Sequence, residues 1–338
     1  MATVKATADR LRESVERVIV GKREAVDLAL VALLCAGHVL VEDVPGIGKT
    51  TLVKALARSL GCSFRRIQFT PDLMPADITG INYYNQKSGE FEFRPGPLMA
   101  QIVLADEINR ATPRTQSALL EAMEERQVTL DGVTMPLPRP FLVFATQNPV
   151  ELEGTFPLPE AQLDRFLLRL ALGYPSEADE GRILVRFDAE NPLERLEPVV
   201  SERELLALQS AVGQVKVEDS VRDYVVALSR ATRKGRGVEL GASPRATLAL
   251  YRSSQARAAL QGRDYVLPDD VKALAPSVLA HRLLLGAESR LRGHSAADAV
   301  KEVLDHTPVP VLSGVATAPA PGEPAGQADF RRPSQQGR

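Results

Sequence analysis

Between Leu40 and Leu56 the chain reads LVEDVPGIGKTTLVKAL, an apolar stretch that passes through two glycines into a helical pattern. Gly46 and Gly48 let the backbone curl so that successive N–H groups converge on phosphate oxygens, flanked by Val44, Pro45 and Ile47. Lys49 can then reach the outer phosphates, and the Thr50 hydroxyl, followed by Thr51, can ligate Mg2+. A helix starting there aims its positive end at the same anion. One corner departs from the pattern: Asp43 stands where such loops usually begin with glycine. A side chain is tolerable at that position if its backbone angles are ordinary, and Pro45 stiffens the turn.

Two more groups end apolar runs. In IVLADE, four apolar residues carry Asp106 and Glu107 to the end of a buried strand. Adjacent carboxylates there are costly without a cation or an exposed site. Beside Mg2+, Asp106 can hold the metal or its waters, while Glu107 can orient and deprotonate an attacking water. In FLVFATQNP, the amide of Asn148 can hydrogen-bond the terminal phosphate or that water; an asparagine that merely forms a turn before proline fits the same letters.

The elements that must carry these groups alternate. HVLVED, SFRRIQF, AQIVLADE and PFLVFATQNP are strand-like runs bounded by turn residues. A helix from Lys49 to Leu60 closed by Gly61 separates the first two. TPRTQSALLEAMEERQ separates the last two, with Thr112 as N-cap, Pro113 at the first helical position, and Leu119, Leu120 and Met123 on one face. This rhythm predicts a mainly parallel α/β sheet with its ligands at the strand C-terminal ends. Residues 78–97 and 126–138 interrupt it and read as hairpin insertions, the second carrying Asp-Gly between β-prone runs. Two helices precede the sheet. From about residue 176 the pattern becomes helical, giving domains at 1–175 and 176–306, and the Pro-, Ala- and Gly-rich stretch 307–338 reads as a disordered tail.

Composition narrows the classes. Apolar and charged fractions of 44% and 25% are those of an ordinary globular protein, and a net charge of −2 gives no general pull toward nucleic acid or anionic membrane. The basic run RATRKGRG, Arg230 to Gly237, reads as a solvated loop. Cys35 and Cys62 read as buried free thiols, too few for a structural zinc site. The N-terminal residues lack the apolar centre of a signal peptide. The longest apolar run, Ala25 to Gly37, contains Asp27 and falls short of the roughly 20 residues a membrane span needs. No membrane span and a cytoplasmic location are expected.

VGK (Val20 to Lys22), EDVPGIGKTTL, VLADEINRA, ATQNP, LPEAQLDRF and GASPRA, in that order over residues 5 to 305, together resemble the AAA+ ATPases and, within them, the MoxR group. Asp43 is similar to other MoxR-type loops, and the two insertions resemble those of the branch containing magnesium chelatase and the MCM helicases. The resemblance implies a P-loop three-layer αβα sandwich with a parallel sheet, a small all-α lid, and ATP with Mg2+ as ligands. It implies that Val20 and Gly21 line the adenine pocket and that Arg165 is an arginine finger reaching a neighbouring subunit's phosphate. It implies that Arg245 is a sensor lowered by the lid onto the phosphates of its own subunit. The letters alone also fit a salt-bridged Arg165 and a solvated Arg245, and they leave Arg110 either contacting the next subunit or capping the helix near Thr112. A finger needs a neighbour, so a homo-oligomeric ring is expected, and the resemblance implies a hexamer. Its hydrolysis would change the angle between α/β domain and lid and drive chaperone-like assembly or maturation of protein complexes, with a von Willebrand factor A-domain partner and a protein client. A nucleic-acid motor of the MCM type and a non-hydrolytic scaffold are the alternatives; the charge balance argues against the first, and intact Glu107, Asn148 and Arg165 against the second.

Overall fold

The computed structural model describes residues 1–148, 154–188 and 191–310, so most of the expected tail (311–338) and Pro149 of the ATQNP motif lie outside it. Helices α1 (Ala2–Glu16) and α2 (Arg23–Leu34) lead, each burying one apolar face. Asp27, the charge inside the apolar run, is neutralised by Arg12 of α1, whose Nε lies 2.5 Å from its Oδ1. Next come β1 (Val39–Glu42), α3 (Lys49–Ser59), β2 (Phe64–Gln68) and the short α4 (Pro75–Thr79). The first insertion is a hairpin of β3 (Gly80–Asn85) and β4 (Glu90–Pro95). Its base requires glycine twice: a Cβ on Gly80, at φ +110°, would lie 2.6 Å from the Arg94 carbonyl, and one on Gly96 2.4 Å from that of Ile78. Strand β5 (Ile102–Asp106) and α5 (Pro113–Glu125) precede the second hairpin, β6 (Gln127–Leu130) and β7 (Val133–Pro136). The Asn82 amide donates to Asp131 Oδ2 at 2.7 Å, tying the two hairpins together. Strand β8 (Leu142–Gln147), α6 (Glu160–Leu163) and β9 (Leu168–Leu170) complete this part.

All five core strands are parallel, in the order β2–β5–β8–β1–β9. Alternation along them sends Val39, Val41, Leu104 and Phe144 to one buried face and Leu40, Val103, Ala105 and Val143 to the other. Helices cover both faces, which makes the three-layer sandwich. The sequence pattern did not reveal β9, whose three residues are too short to register an alternation.

The remainder is helical: α7 (Glu177–Asp188), α8 (Glu202–Val212), α9 (Asp219–Thr232), α10 (Pro244–Leu260), α11 (Pro268–Leu279), α12 (Ala287–Leu291) and α13 (Ala296–His306). One departure from an all-α unit is a small antiparallel pair, β10 (Val238–Leu240) with β11 (Leu284–Leu285). Ser201, Ser243 and Ser295 cap α8, α10 and α13 through their hydroxyls. A single apolar cluster runs from α1 and α2 across one sheet face into α8–α11 and α13. Both cysteines are free but half-buried rather than fully buried as expected, and the desolvation they do experience pushes the Cys35 thiol up to about 12 and the Cys62 thiol to about 11. Among the described residues no helix is long and apolar enough to cross a membrane.

Candidate active site

The loop between β1 and α3 has the shape that its glycines allow. Gly46 and Gly48 take φ of +84° and +93°, and a Cβ added to either would meet nothing within 4 Å, so the concave side is open. The amides of Gly48, Lys49 and Thr50 have no acceptor among the described residues, as expected of a helix start awaiting an anion. Lys49 Nζ donates to the Asp43 carbonyl at 2.8 Å, which parks the cation beside the loop.

Asp43 explains itself. Its Oδ1 accepts from the Val44 amide at 3.0 Å, and its Oδ2 accepts from Leu172 at 2.6 Å and Gly173 at 2.7 Å. The carboxylate therefore clamps the loop to the chain leaving β9, which a glycine could not do. Replacing Asp43 with Gly strands three amides, those of Val44, Leu172 and Gly173, and about 1.5–3 kcal/mol of stability is expected to go. Urea unfolding measures the loss, and Asp43→Asn, which keeps one acceptor, is expected to lose less.

Register gathers the acidic pair. Asp106 pairs with Gln68 across β2–β5, and Ala105 with Ala145 across β5–β8. Asp106 is buried; its Oδ1 accepts from Thr146 Oγ1 at 2.6 Å, and its Oδ2 accepts from Arg66 Nη2 at 2.6 Å and Nε at 3.0 Å. Glu107 sits in the left-handed region, φ +57° and ψ +49°, a conformation rare for this residue type and concentrated at functional sites. Thr146 Oγ1 accepts from its amide at 2.9 Å, while Gln68 Nε2 (2.7 Å) and Arg110 Nη1 (3.1 Å) donate to its Oε2. Arg110 thus orients Glu107, and Thr112 begins α5 without a side-chain capping bond. Asn148, also buried, follows β8 beside Asp43, whose amide donates to the Gln147 carbonyl at 3.3 Å. The phosphate loop, Asp106, Glu107 and Asn148 thereby meet at the C-terminal edge of three adjacent strands. No group of three or more His, Cys, Asp or Glu among the described residues could hold a metal unaided. Thr50 and Asp106 are the residues that could hold Mg2+, an ion that takes one or two protein oxygens and completes its shell with water and phosphate.

A cavity of about 530 Å³ opens beside the loop, lined by Val18–Val20, Pro45–Gly48 and Thr51, and closed by Leu172, Tyr174 and α7 residues including Ile183 and Phe187. Its apolar walls fit a planar base. Val20 is a wall; Gly21 is not. Gly21 (φ +70°) instead lets Asp179 of α7 approach, since a Cβ there would lie 2.3 Å from that carboxylate. Helix α7, assigned from sequence to the lid, is part of this cavity.

Arg165 and Arg245 lie elsewhere. Arg165 precedes β9 and therefore sits at the N-terminal edge of the sheet, whereas the phosphate loop follows the C-terminal end of neighbouring β1. The four residues of β1 alone separate those edges by about 13 Å. Glu124, near the end of α5, binds both cations: Oε2 to Arg165 Nε at 3.0 Å and Oε1 to Arg245 Nη1 at 3.0 Å. Arg245 thus lies at the edge remote from the loop rather than over its own subunit's phosphate loop, where the resemblance would carry it. His38 fixes this corner: its Nδ1 accepts from the Val143 amide and its Nε2 donates to the Met123 carbonyl, both at 3.0 Å. Burial and the nearby Arg126 push its pKa down to about 3, so the ring stays neutral. Of the basic run, Arg233 is structural, donating from Nε to the Ala242 carbonyl at 2.9 Å.

Gln68, Arg66, Thr146 and Glu124 were not legible from the sequence, since nothing local marks them; only strand register and the end of α5 bring them to the site. A parallel sheet with a glycine loop, a strand-end acidic pair and a helical lid defines a nucleotide-binding ATPase fold of the AAA+ class. Residues 38–168 match the ATPase family associated with various cellular activities (AAA), and residues 230–303 match the AAA lid domain. The chain is 54% identical to an uncharacterized Bacillus subtilis protein, YeaC, over 88% of its length and 93% of the relative's. It is 44% identical to chaperone MoxR1 of Mycobacterium tuberculosis, over 91% of its length and 84% of the relative's. A crystal structure from Cytophaga hutchinsonii, assigned provisionally as an ATPase, superposes with TM-score 0.86 at 38% identity, covering 92% of this chain and 97% of that one. The chain belongs to the MoxR family of AAA+ ATPases.

Proposed function

We propose that this chain binds and hydrolyses MgATP at a site shared between subunits of a homo-oligomeric ring, and that the ring remodels protein complexes. The observation that carries the reading is the separation just described. Loop, Asp106, Glu107 and Asn148 occupy one edge of the sheet, and both candidate transition-state cations occupy the other. A head-to-tail contact that closes into a ring brings one edge against the other.

The roles follow from position. Amides 48–50 and Lys49 hold the triphosphate, and the cavity wall that includes Val20 holds the base. Thr50 and Asp106 would hold Mg2+, which would supply neutralising charge to the phosphates. Glu107 takes the proton of the attacking water from a carboxylate that Gln68 and Arg110 aim. Asn148 orients that water or the terminal phosphate. Arg165 of the next subunit leaves Glu124 and stabilises the charge developing in the transition state, with Arg245 beside it. Similarity to a protein named a chaperone supports a remodelling role, with a protein client and a von Willebrand factor A-domain partner; a six-membered ring is our working stoichiometry.

The test combines metal removal with capture. ATP turnover is expected with Mg2+ and none with EDTA, and light scattering in MgATP is expected to give a multiple of the 36.7 kDa chain. Affinity capture with Glu107→Gln in ATP is expected to retain a protein client. A monomer that hydrolyses ATP at full rate would end the shared-site reading.

A further inference from the structure

Arg282 is a charged side chain only 5% exposed, placed away from the phosphate loop, and its fork points at the residues flanking Arg165. Its Nε lies 3.0 Å from Asp164 Oδ1. Its Nη2 donates to the carbonyls of Asp164, at 3.4 Å, and Phe166, and its Nη1 to that of Val278 at 2.9 Å. From the other side Ser243, the N-cap of α10, donates to Asp164 Oδ2 at 2.8 Å. Two residues later Arg245 meets Arg165 through Glu124. The chain from Asp164 to Phe166 is therefore gripped on three sides by the lid of its own subunit.

Burying a guanidinium is costly, and a well-packed apolar residue would serve packing as well. The planar fork does what an apolar side chain cannot: it donates to three carbonyls while its charge lies against the Asp164 carboxylate. Burial draws the Arg282 pKa down to about 10 while Asp164 opposes the shift, so the charge persists at neutral pH.

We propose that Arg282 is a positioning residue for Arg165, holding Asp164 and the Phe166 carbonyl so that the lid of one subunit sets the finger presented to the next. This rests on the shared-site reading above. It also supplies a path between neighbouring sites: whatever shifts α10 and α11 shifts Asp164, and with it the cation at the adjoining phosphates. Arg282 touches no reacting atom, and its effect passes through Arg165.

The experiment uses the full chain with Arg282→Met, Arg282→Lys and Asp164→Asn. MgADP affinity by calorimetry is expected to stay near wild type in all three, because each keeps its own loop and cavity. ATP turnover in Arg282→Met is expected to fall on the order of 10²-fold, the effect of misplacing a group by about an ångström. The fall is expected in kcat with KM little changed, and Arg282→Lys is expected to restore part of it. Mixing Arg282→Met with Lys49→Ala is expected to recover turnover, since the second variant lends an intact finger to the first variant's intact loop. A purely structural Arg282 predicts instead lost affinity and no recovery on mixing. Wild-type turnover in Arg282→Met, or no recovery while Arg165→Ala with Lys49→Ala does recover, overturns the proposal. If that control pair also fails, the shared site itself has fallen and the proposal with it. Should Arg282→Met not fold, Asp164→Asn is judged by the same criteria: it keeps the Ser243 hydrogen bond and weakens only the pull on Arg282.

Discussion

Glu107→Gln is expected to bind MgATP nearly as well as wild type and to turn it over on the order of 10²- to 10³-fold more slowly. The substitution preserves shape, so the left-handed backbone at this position, φ +57°, is undisturbed. Thr146 still receives the residue-107 amide, and Asp106 keeps both Thr146 and Arg66. What is lost is the carboxylate that Gln68 and Arg110 direct. An amide cannot take a proton from water at neutral pH. Calorimetry for binding and single-turnover hydrolysis for rate separate the two effects. Unchanged hydrolysis removes Glu107 from the chemistry and leaves its contacts as purely structural.

Arg165→Ala is expected to cost on the order of 10³-fold in turnover with nucleotide affinity retained. Lys49→Ala is expected to be equally inactive for the opposite reason, lacking the cation at the phosphates. A one-to-one mixture is expected to recover up to about a quarter of wild-type activity, the fraction of head-to-tail contacts in a random ring that pair an intact loop with an intact finger. Geometry makes the test decisive: Arg165 sits at the sheet edge opposite its own loop, paired with Glu124. A mixture with no more activity than its components would falsify the shared site.

Much of this was legible from letters because it is local. Gly46, Gly48, Lys49 and Thr50 lie within one turn, and apolar strands carry Asp106 and Asn148 to their ends. The parallel sheet and its two hairpins follow from period and turn chemistry. What stayed hidden depends on distance along the chain. Asp43 finds its partners 129 and 130 residues away, and Arg245 finds Glu124 at a separation of 121. No periodicity encodes such pairs. Helix α7 is a related case: its helical pattern says nothing about what it packs upon, and only three dimensions show Asp179 against Gly21 and α7 lining the cavity. The resemblance placed Arg245 in the lid, and in three dimensions it pairs there with Glu124.

The apolar cluster joining α1 and α2 to α8–α11 and α13 has a mechanical consequence. Parting the lid from its own sheet would expose this shared interior to water, at a free-energy cost that grows with the apolar area uncovered. Within one protomer, shifts that keep this interior closed therefore cost less than an opening that parts it.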